Sequence, residues 1–585
     1  MRFSESSNLT SVRFLPALAV VIVFISLCLG LGHLPLMQPD EGRNAEVARE
    51  MKESGAWLVP TYNGVDYLDK PAFYFKAVAL SLAAFGDNET AARLPSALFG
   101  VALVAMVFVF CRKFYASQRV AWLATIVVST MPLYLVNSRL VIFDIALTFF
   151  VCGAVFAGFL AEEAEGRARR NWYLLGAVAA GLATLVKGPV GFVLPILVFL
   201  VSQRMAGRRG VWKRLFAPLN LLVFFAVTLP WFIGLCFAKR DFFHYGIVDE
   251  TFKRFTSAAK FKRGKPFYYY PLLVAVTFLP WSLLLPGATI AAWRSRWVKH
   301  RADCLCIVWS VLAVLFFSVS QSKQPGYILS VPVACGILIA RLIDAALTNP
   351  AGRAARVMRH AVMAFVAMCL AALSFVLWGA WRLESFAKLA RMTLENAQSW
   401  QAHVWPLAIF LGAFASFGVI ALLRRSPWLG FLGLATFVPL FMIVNIGGLK
   451  LALQDKSGRT MAEIITLKRL PPETELASLE CEINGASFYL GKTVTLISAD
   501  GQELRSNYIP YRLAQSTQWP PTIVREAELF SWLASRKTPV YLLVRTKDQQ
   551  RLQSIAEARG VAIETLTERY YGALLPPAGG GAPLR

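Results

Sequence analysis

The chain places Asp40, Glu41 and Arg43, and then the run Tyr67-Leu68-Asp69-Lys70-Pro71, directly after its first apolar stretch, Phe14 to Leu36. Acids and bases this close to a hydrocarbon boundary are the residue types that perform chemistry at a membrane surface. Taken alone, they fit a solvated loop equally well. Two further charges stand in apolar surroundings, Asp144 within Leu140 to Leu147 and Lys187 within Gly181 to Pro189. A carboxylate at mid-membrane costs about 2.5–3.5 kcal/mol and less near an edge, so each of these needs a partner or water. An ion pair or snorkelling accounts for either one singly. Collected with Asp249, Glu250, Arg254, Lys323 and Tyr327, they describe a pocket holding both carboxylates and cations. Such a pocket suits a phosphate-linked substrate: Lys70, Lys187, Arg254 and Lys323 neutralise phosphate oxygens while an acid positions a second reactant.

The elements that must position these groups are membrane helices. Of the 585 residues, 56% are hydrophobic and 16% charged, and the mean hydropathy is +0.52, which excludes a single soluble core and predicts a polytopic α-helical membrane protein. The opening segment exceeds the apolar region of a signal peptide and reads as a retained first helix. Further spans are expected near residues 94–111, 120–137, 141–160, 172–186, 188–203, 216–237, 268–290, 303–320, 325–345, 358–380, 403–423 and 427–448, making thirteen with the first; 172–186 and 188–203 are short for a crossing.

Basic residues resist translocation, and alternate connections carry them: Arg112, Lys113 and Arg119; Arg167 to Arg170; Arg204 to Arg214; Arg294 to Arg301; Arg353 to Arg359; Arg424 and Arg425. Those loops and the N-terminus are therefore expected to be cytoplasmic. The loops 37–93 and 238–267 and everything after about residue 449 fall on the outer side. Phe73 to Phe85, interrupted by Lys76, fits this count as an amphipathic helix along the surface.

The net charge of +25 is mostly a topology signal, since residues 449–585 carry 17 basic and 14 acidic residues, a net of +3. Nucleic acid is not needed to explain it, although the cytoplasmic arginines are expected to touch anionic lipid headgroups. Eight of nine cysteines lie in or beside apolar spans and Cys481 stands alone in the outer part, so no disulfide framework is expected. That outer part, 449–575, alternates helical stretches (Met461 to Leu470, Glu526 to Arg536) with strand-like runs (Thr493 to Ile497, Val540 to Val544, Val561 to Leu566), predicting a small α/β domain followed by a disordered tail at 576–585. The aromatic residues Tyr67, Tyr268, Tyr269, Tyr270 and Trp281 read as interfacial anchors. Tyr327 follows Lys323 at the i, i+4 spacing that shares a helix face if the helix starts that early.

In order along residues 10 to 345, the motifs Pro39-Asp40-Glu41-Gly42-Arg43, Tyr67-Leu68-Asp69-Lys70-Pro71, Ala92-Arg93-Leu94-Pro95-Ser96, Lys187-Gly188-Pro189-Val190, Pro230-Trp231, Arg254-Phe255, Leu279-Pro280-Trp281-Ser282 and Phe317-Ser318-Val319-Ser320 with Lys323 and Tyr327 resemble the bacterial GT-C glycosyltransferases. Within them the chain looks most like the aminoarabinose transferases of lipid A and their relatives of the protein O-mannosyltransferase type.

The resemblance implies a GT-C membrane domain over 1–448. It implies an inverting, monomeric transferase in the bacterial inner membrane that uses an undecaprenyl phosphate-linked sugar on the periplasmic side, with lipid A or another envelope molecule as acceptor. By the same resemblance Asp40 is the principal catalytic carboxylate, Arg43 and Asp144 complete that part of the site, and Lys70, Lys187 and Arg254 handle phosphate. Tyr327 would contact phosphate, with Tyr67 and Lys323 beside it. Where relatives carry Glu-Lys-Pro-Pro this chain has Asp69-Lys70-Pro71-Ala72, and where they often carry Glu-Asn it has Glu250-Thr251, which leaves the acceptor open.

Paired cations stabilise a phosphate leaving group without an obligatory cofactor. Asp40 is a general base if the acceptor is a protein or sugar hydroxyl, and an orienting group if it is a lipid A phosphate. Asp69, Asp249 and Glu250 are candidate oxygen ligands for a divalent cation. His33, His244 and His403 show no ligand spacing. A flippase for a lipid-linked sugar also needs a charged intramembrane cavity, but no internal repeat of the transporter kind is visible.

Overall fold

The computed structural model describes residues 3–115, 117–246, 265–294, 299–390, 394–454, 456–483 and 485–578. The chain divides into two compact units. Met1–Leu31, Ser96–Pro230 and Thr251–Leu451 form one, and Gly32–Pro95, Trp231–Glu250 and Ala452–Arg585 form the other. Two internal segments thus group with the C-terminal residues in the second unit.

The first unit is helical because long apolar runs satisfy their backbone groups internally, the arrangement hydrocarbon demands. Helical segments occupy all thirteen expected positions, in a multi-pass membrane protein. By length and composition eight described helices can cross a membrane, or nine if the pair Tyr269–Thr277 and Trp281–Arg294, bent by 109°, makes one span. The other four positions hold shorter, broken or more polar helices, so the expected count of thirteen crossings is not matched by thirteen full-length spans.

The departures have local causes. The span expected at 120–137 breaks into Gln118–Thr130 and Pro132–Asn137, with Met131 extended ahead of Pro132. The bend after Thr277 lies at Pro280. The span expected at 172–186 is instead a longer helix, Gly166–Lys187, whose first turn carries arginines. It packs along Asp144–Glu163. Gly188 at φ 77° ends it, and Val190–Met205 turns back at once, which fixes Lys187 at a helix terminus.

In the second unit, helix Asp40–Ser54 is followed by the hairpin strands β1 (Thr61–Tyr62) and β2 (Val65–Asp66) and then by helix Phe73–Phe85, with the bounds the sequence suggested. That helix buries Tyr74, Phe75, Val78, Ala79 and Leu82 along one stripe and exposes Leu80 and Phe85. The C-terminal part forms a six-stranded sheet from β3 (Glu475–Leu479), β4 (Thr495–Ser498), β5 (Ile523–Arg525), β6 (Val540–Arg545), β7 (Glu564–Thr567) and β8 (Tyr570–Leu575), in the order β5-β4-β3-β6-β8-β7.

The first four strands of that order run parallel and β8 and β7 close the edge antiparallel. In β6, Val540, Leu542 and Val544 face a core with Leu479, Leu552 and Ile555, while Tyr541 and Leu543 face another with Met461 and Ile465. This is the period-two alternation of a sheet covered on both faces. All nine cysteines are free.

Candidate functional site

Asp40 and Glu41 occupy the first turn of helix Asp40–Ser54, where the positive end of the backbone dipole favours carboxylates. One helical turn on, Arg43 donates Nη2–H to Asp40 Oδ1 at 2.5 Å and Nη1–H to the Arg505 carbonyl at 2.9 Å. Its guanidinium carbon lies 5.8 Å from the Tyr67 ring centroid. The Arg43 side chain is 10% exposed and that of Asp40 is 54% exposed. Burial alone would pull the guanidinium down, but the fields of Tyr67, Asp40 and Asp69 outweigh it and hold Arg43 above its ordinary value. An exposed carboxylate is thus oriented by a buried, permanently charged partner.

Glu41 points the other way and is buried. It receives Arg93 Nε and Nη2 at 2.8 Å each, a bidentate pair, while the remaining Arg93 donors reach the Leu34 and Pro35 carbonyls at 2.6 and 2.9 Å. Arg93 thereby ties the helix start to the chain leading into it. The motif Ala92-Arg93-Leu94-Pro95-Ser96 does not by itself reveal that role; an arginine in the otherwise uncharged stretch Ala91 to Leu103 is the signal for it.

Asp69, a candidate metal ligand, is buried, and its oxygens accept from Tyr245 Oη at 2.9 Å, Ser506 Oγ at 3.2 Å, Asn507 N at 3.0 Å and Tyr508 N at 2.8 Å. The last two are amides at the start of helix Tyr508–Gln515, so Asp69 acts as a capping carboxylate supplied from elsewhere in the chain. With these donors in place it is poorly available to a cation. The other two candidate ligands, Asp249 and Glu250, lie outside the described residues, as does Arg254. Among the described residues no group of three or more His, Cys, Asp or Glu is placed to hold a metal. Lys70 is half-buried, and its ammonium donates to the Asp69 carbonyl. Tyr67 is buried edge-on between Tyr62 and Phe75.

In the helical unit, Asp144 opens helix Asp144–Glu163 and Lys187 closes helix Gly166–Lys187. Each charge sits at the helix end that its sign favours. The two form a direct ion pair with side chains 10% and 13% exposed. The Lys187 ammonium also lies 4.7 Å from the Tyr327 ring centroid and 5.0 Å from that of Phe143. Gly326 lets the neighbouring turn approach Asp144, since a Cβ there would come within 2.9 Å of Asp144 Cγ.

Lys323 and Tyr327 do not share an α-helical face. Gln324 is extended ahead of Pro325, the turn Pro325–Ile328 is a 3₁₀ helix, and the α-helix starts at Val331. Lys323 instead donates to the carbonyls of Ser320 and, at 3.0 Å, Lys265. Three expected interfacial anchors are core residues, Tyr67 among them. Trp281 is buried with Nε1 donating to Thr130 Oγ1 at 2.9 Å, and Tyr270 is buried with its hydroxyl donating to the Gln324 carbonyl at 3.1 Å. Tyr268 is exposed, as an anchor is.

The predicted residues therefore gather in two places. Asp40, Arg43, Tyr67, Asp69 and Lys70 are in one unit, and Asp144, Lys187, Lys323 and Tyr327 are in the other. Cations set beside carboxylates in this way can exchange a carboxylate partner for a phosphate oxygen. An exposed, fixed carboxylate such as Asp40 can orient or deprotonate a second reactant.

The family described as Dolichyl-phosphate-mannose-protein mannosyltransferase matches residues 8–246. The chain is 32% identical over 343 residues to the undecaprenyl phosphate-alpha-4-amino-4-deoxy-L-arabinose arabinosyl transferase of Edwardsiella ictaluri, a match covering 58% of this chain and 61% of that protein. It is 28% identical over 444 residues to the protein of the same name from Shewanella sediminis, covering 70% and 78%. The chain thus spans about three fifths of the length of the first of these relatives. The crystal structure of ArnT from Cupriavidus metallidurans bound to undecaprenyl phosphate superposes with a TM-score of 0.81 over 98% of this chain and 99% of that one, at 24% identity. The chain has that GT-C fold, with a C-terminal sheet, and is similar in sequence to the aminoarabinose transferases that its motifs resemble.

Proposed function

We propose that the protein is an inverting glycosyltransferase moving 4-amino-4-deoxy-L-arabinose from an undecaprenyl phosphate carrier to a phosphate of lipid A. It works at the periplasmic face of the bacterial inner membrane, with the N-terminus cytoplasmic and the C-terminal sheet periplasmic. The observation that carries this reading is the similarity to transferases of that name, beside a family match over residues 8–246, the stretch that contains Asp40, Lys70, Asp144 and Lys187. The geometry of those residues agrees with the chemistry.

In the reaction the bond from the anomeric carbon to the carrier phosphate breaks, a bond to the acceptor phosphate oxygen forms on the opposite face, and undecaprenyl phosphate leaves with its charge. Lys70, Lys187 and Arg254 stabilise that charge. An acceptor phosphate is already an anion, so Asp40, aimed by Arg43, orients the sugar and need not remove a proton. Tyr327, stacked against Lys187, keeps the cation accessible to phosphate. The reaction requires no cofactor, and the enzyme acts as a monomer.

The match to the mannosyltransferase family favours a second reading, transfer of a polyprenyl-phosphate sugar to a hydroxyl of a protein or another envelope glycan, in which Asp40 is the general base. Deleting the protein and comparing lipid A, envelope glycans and glycoproteins by mass spectrometry separates the two. Loss of a pentosamine from lipid A is the expected result. Unchanged lipid A with a vanished protein hexose selects the second reading, and no change in any of the three overturns both.

A further inference from the structure

The turn Gly501–Tyr508 of the sheet domain touches both charged motifs of the first loop. The Arg505 carbonyl accepts from Arg43 at 2.9 Å, and Ser506 Oγ, Asn507 N and Tyr508 N donate to Asp69, the residue that leads into Lys70. Tyr508 also donates its hydroxyl to Asp241 at 2.8 Å and packs edge-on against Tyr245, which itself holds Asp69. Arg505 has φ 51° and ψ 32°, the left-handed region that side-chain-bearing residues rarely adopt, although its own side chain is exposed. A conformation of that kind persists where surrounding contacts demand it and concentrates at functional sites. It turns the Arg505 carbonyl toward Arg43 and the next three residues toward Asp69, within four consecutive positions.

We infer that the Arg505–Tyr508 segment is a positioning element for the transfer reaction, fixing Arg43, and through it Asp40, together with the Asp69-Lys70 pair. This rests on the proposed function for its kinetic readout. It assigns the C-terminal sheet domain a part in catalysis that acts through backbone groups.

The test uses the full-length protein in proteoliposomes with undecaprenyl phosphate-linked aminoarabinose and lipid A. Asparagine and glycine tolerate the left-handed region and valine does not. Arg505→Asn and Arg505→Gly are therefore expected to keep kcat within about twofold, whereas Arg505→Val loses about tenfold or more in kcat with KM for the donor changed less than about threefold. Hydrogen exchange supplies a readout independent of activity: amides of 40–46 and 67–72 exchange faster in Arg505→Val and not in Arg505→Asn.

If Arg505→Val does not accumulate, Ser506→Ala replaces it, with faster exchange at 67–72 expected and Ser506→Thr restoring protection. Unchanged exchange in these segments, or equal kcat loss in the asparagine and valine variants, overturns the inference. A wild-type protein that transfers nothing from this donor overturns the proposed function instead, and the exchange result then decides the inference by itself.

Discussion

Asp144 with Lys187 and Asp40 with Arg43 are both carboxylate–cation pairs at helix ends, yet they hide different members. In the first pair both side chains are withdrawn from solvent and neutralise each other. In the second the cation is buried and clamped from a third side by a carbonyl, while the acid is more than half exposed. A pair of mutually satisfied charges is stable at rest and must be opened by a competing anion. A pinned cation with a protruding acid is already poised toward whatever arrives. Under the proposed function the contrast fits phosphate handling at Lys187 and reactant positioning at Asp40.

The largest expected effect separates the two acids. Asp40→Asn should lower turnover by about 10²–10⁴-fold while the protein inserts and melts normally, measured as transfer rate in reconstituted membranes. Equal activity in that variant would remove the distinction between poised and resting pairs. Next, Lys187→Met leaves Asp144 buried without its ammonium and should destabilise the helical unit by about 3 kcal/mol, read as thermal unfolding in detergent. The double variant with Asp144→Asn should recover most of that stability without recovering transfer. Recovery of both would make the pair purely structural.

A smaller effect concerns two buried acids in the sheet-containing unit. Burial pushes the carboxyls of Glu482 and Glu46 up to about 7, helped by the charges of Glu46 and Glu503 at the first and of Glu50 and Glu53 at the second, against hydrogen bonds from Tyr62 to the first and Arg49 to the second. A carboxyl with a raised folded value favours the protonated folded state. Its stabilisation is complete below the unfolded value near 4.5 and is lost as pH rises through about 7. Relative to the wild type, Glu482→Gln should gain stability across that window, on the order of 1 kcal/mol by pH 8, in unfolding followed at several pH values. A gap that stays constant from pH 4 to 8 would contradict this. Last, Lys52–Asp87 is a half-exposed pair at 2.6 Å, and Lys52→Ala should cost less than about 1 kcal/mol. It calibrates how little an ion pair contributes when it is neither buried nor pinned.

Residues whose local surroundings set their role were legible in the sequence. Lys187 stands out because a cation interrupts an apolar run just before Gly-Pro, and Phe73 to Phe85 declares itself by its apolar stripe ending at Gly86. Roles set by distant chain were not. Asp69 reads as a possible metal ligand until residues 506–508 are seen donating to it, and Arg505 acts through a carbonyl that every residue type possesses. Aromatic residues gave the wrong answer for Tyr67, Tyr270 and Trp281, because a core and an interface ask for the same side chains. Strands β3, β5 and β8 went unread since Glu475–Leu479 has no β-branched or aromatic residue, Ile523–Arg525 is too short for a pattern and Tyr570–Leu575 contains glycine.

The capping of helix Tyr508–Gln515 by Asp69 also sets a timetable. The acid and the serine that it meets are 437 positions apart. At ribosomal rates of about 5–20 residues per second, Asp69 emerges roughly 20–90 s before its partners exist. Until then the nascent segment must keep an unsatisfied carboxylate hydrated, and premature termination anywhere upstream of Ser506 would strand it. Assembly of this unit is consequently a late, all-at-once event, exposed to chaperones and proteases for most of the polypeptide's birth.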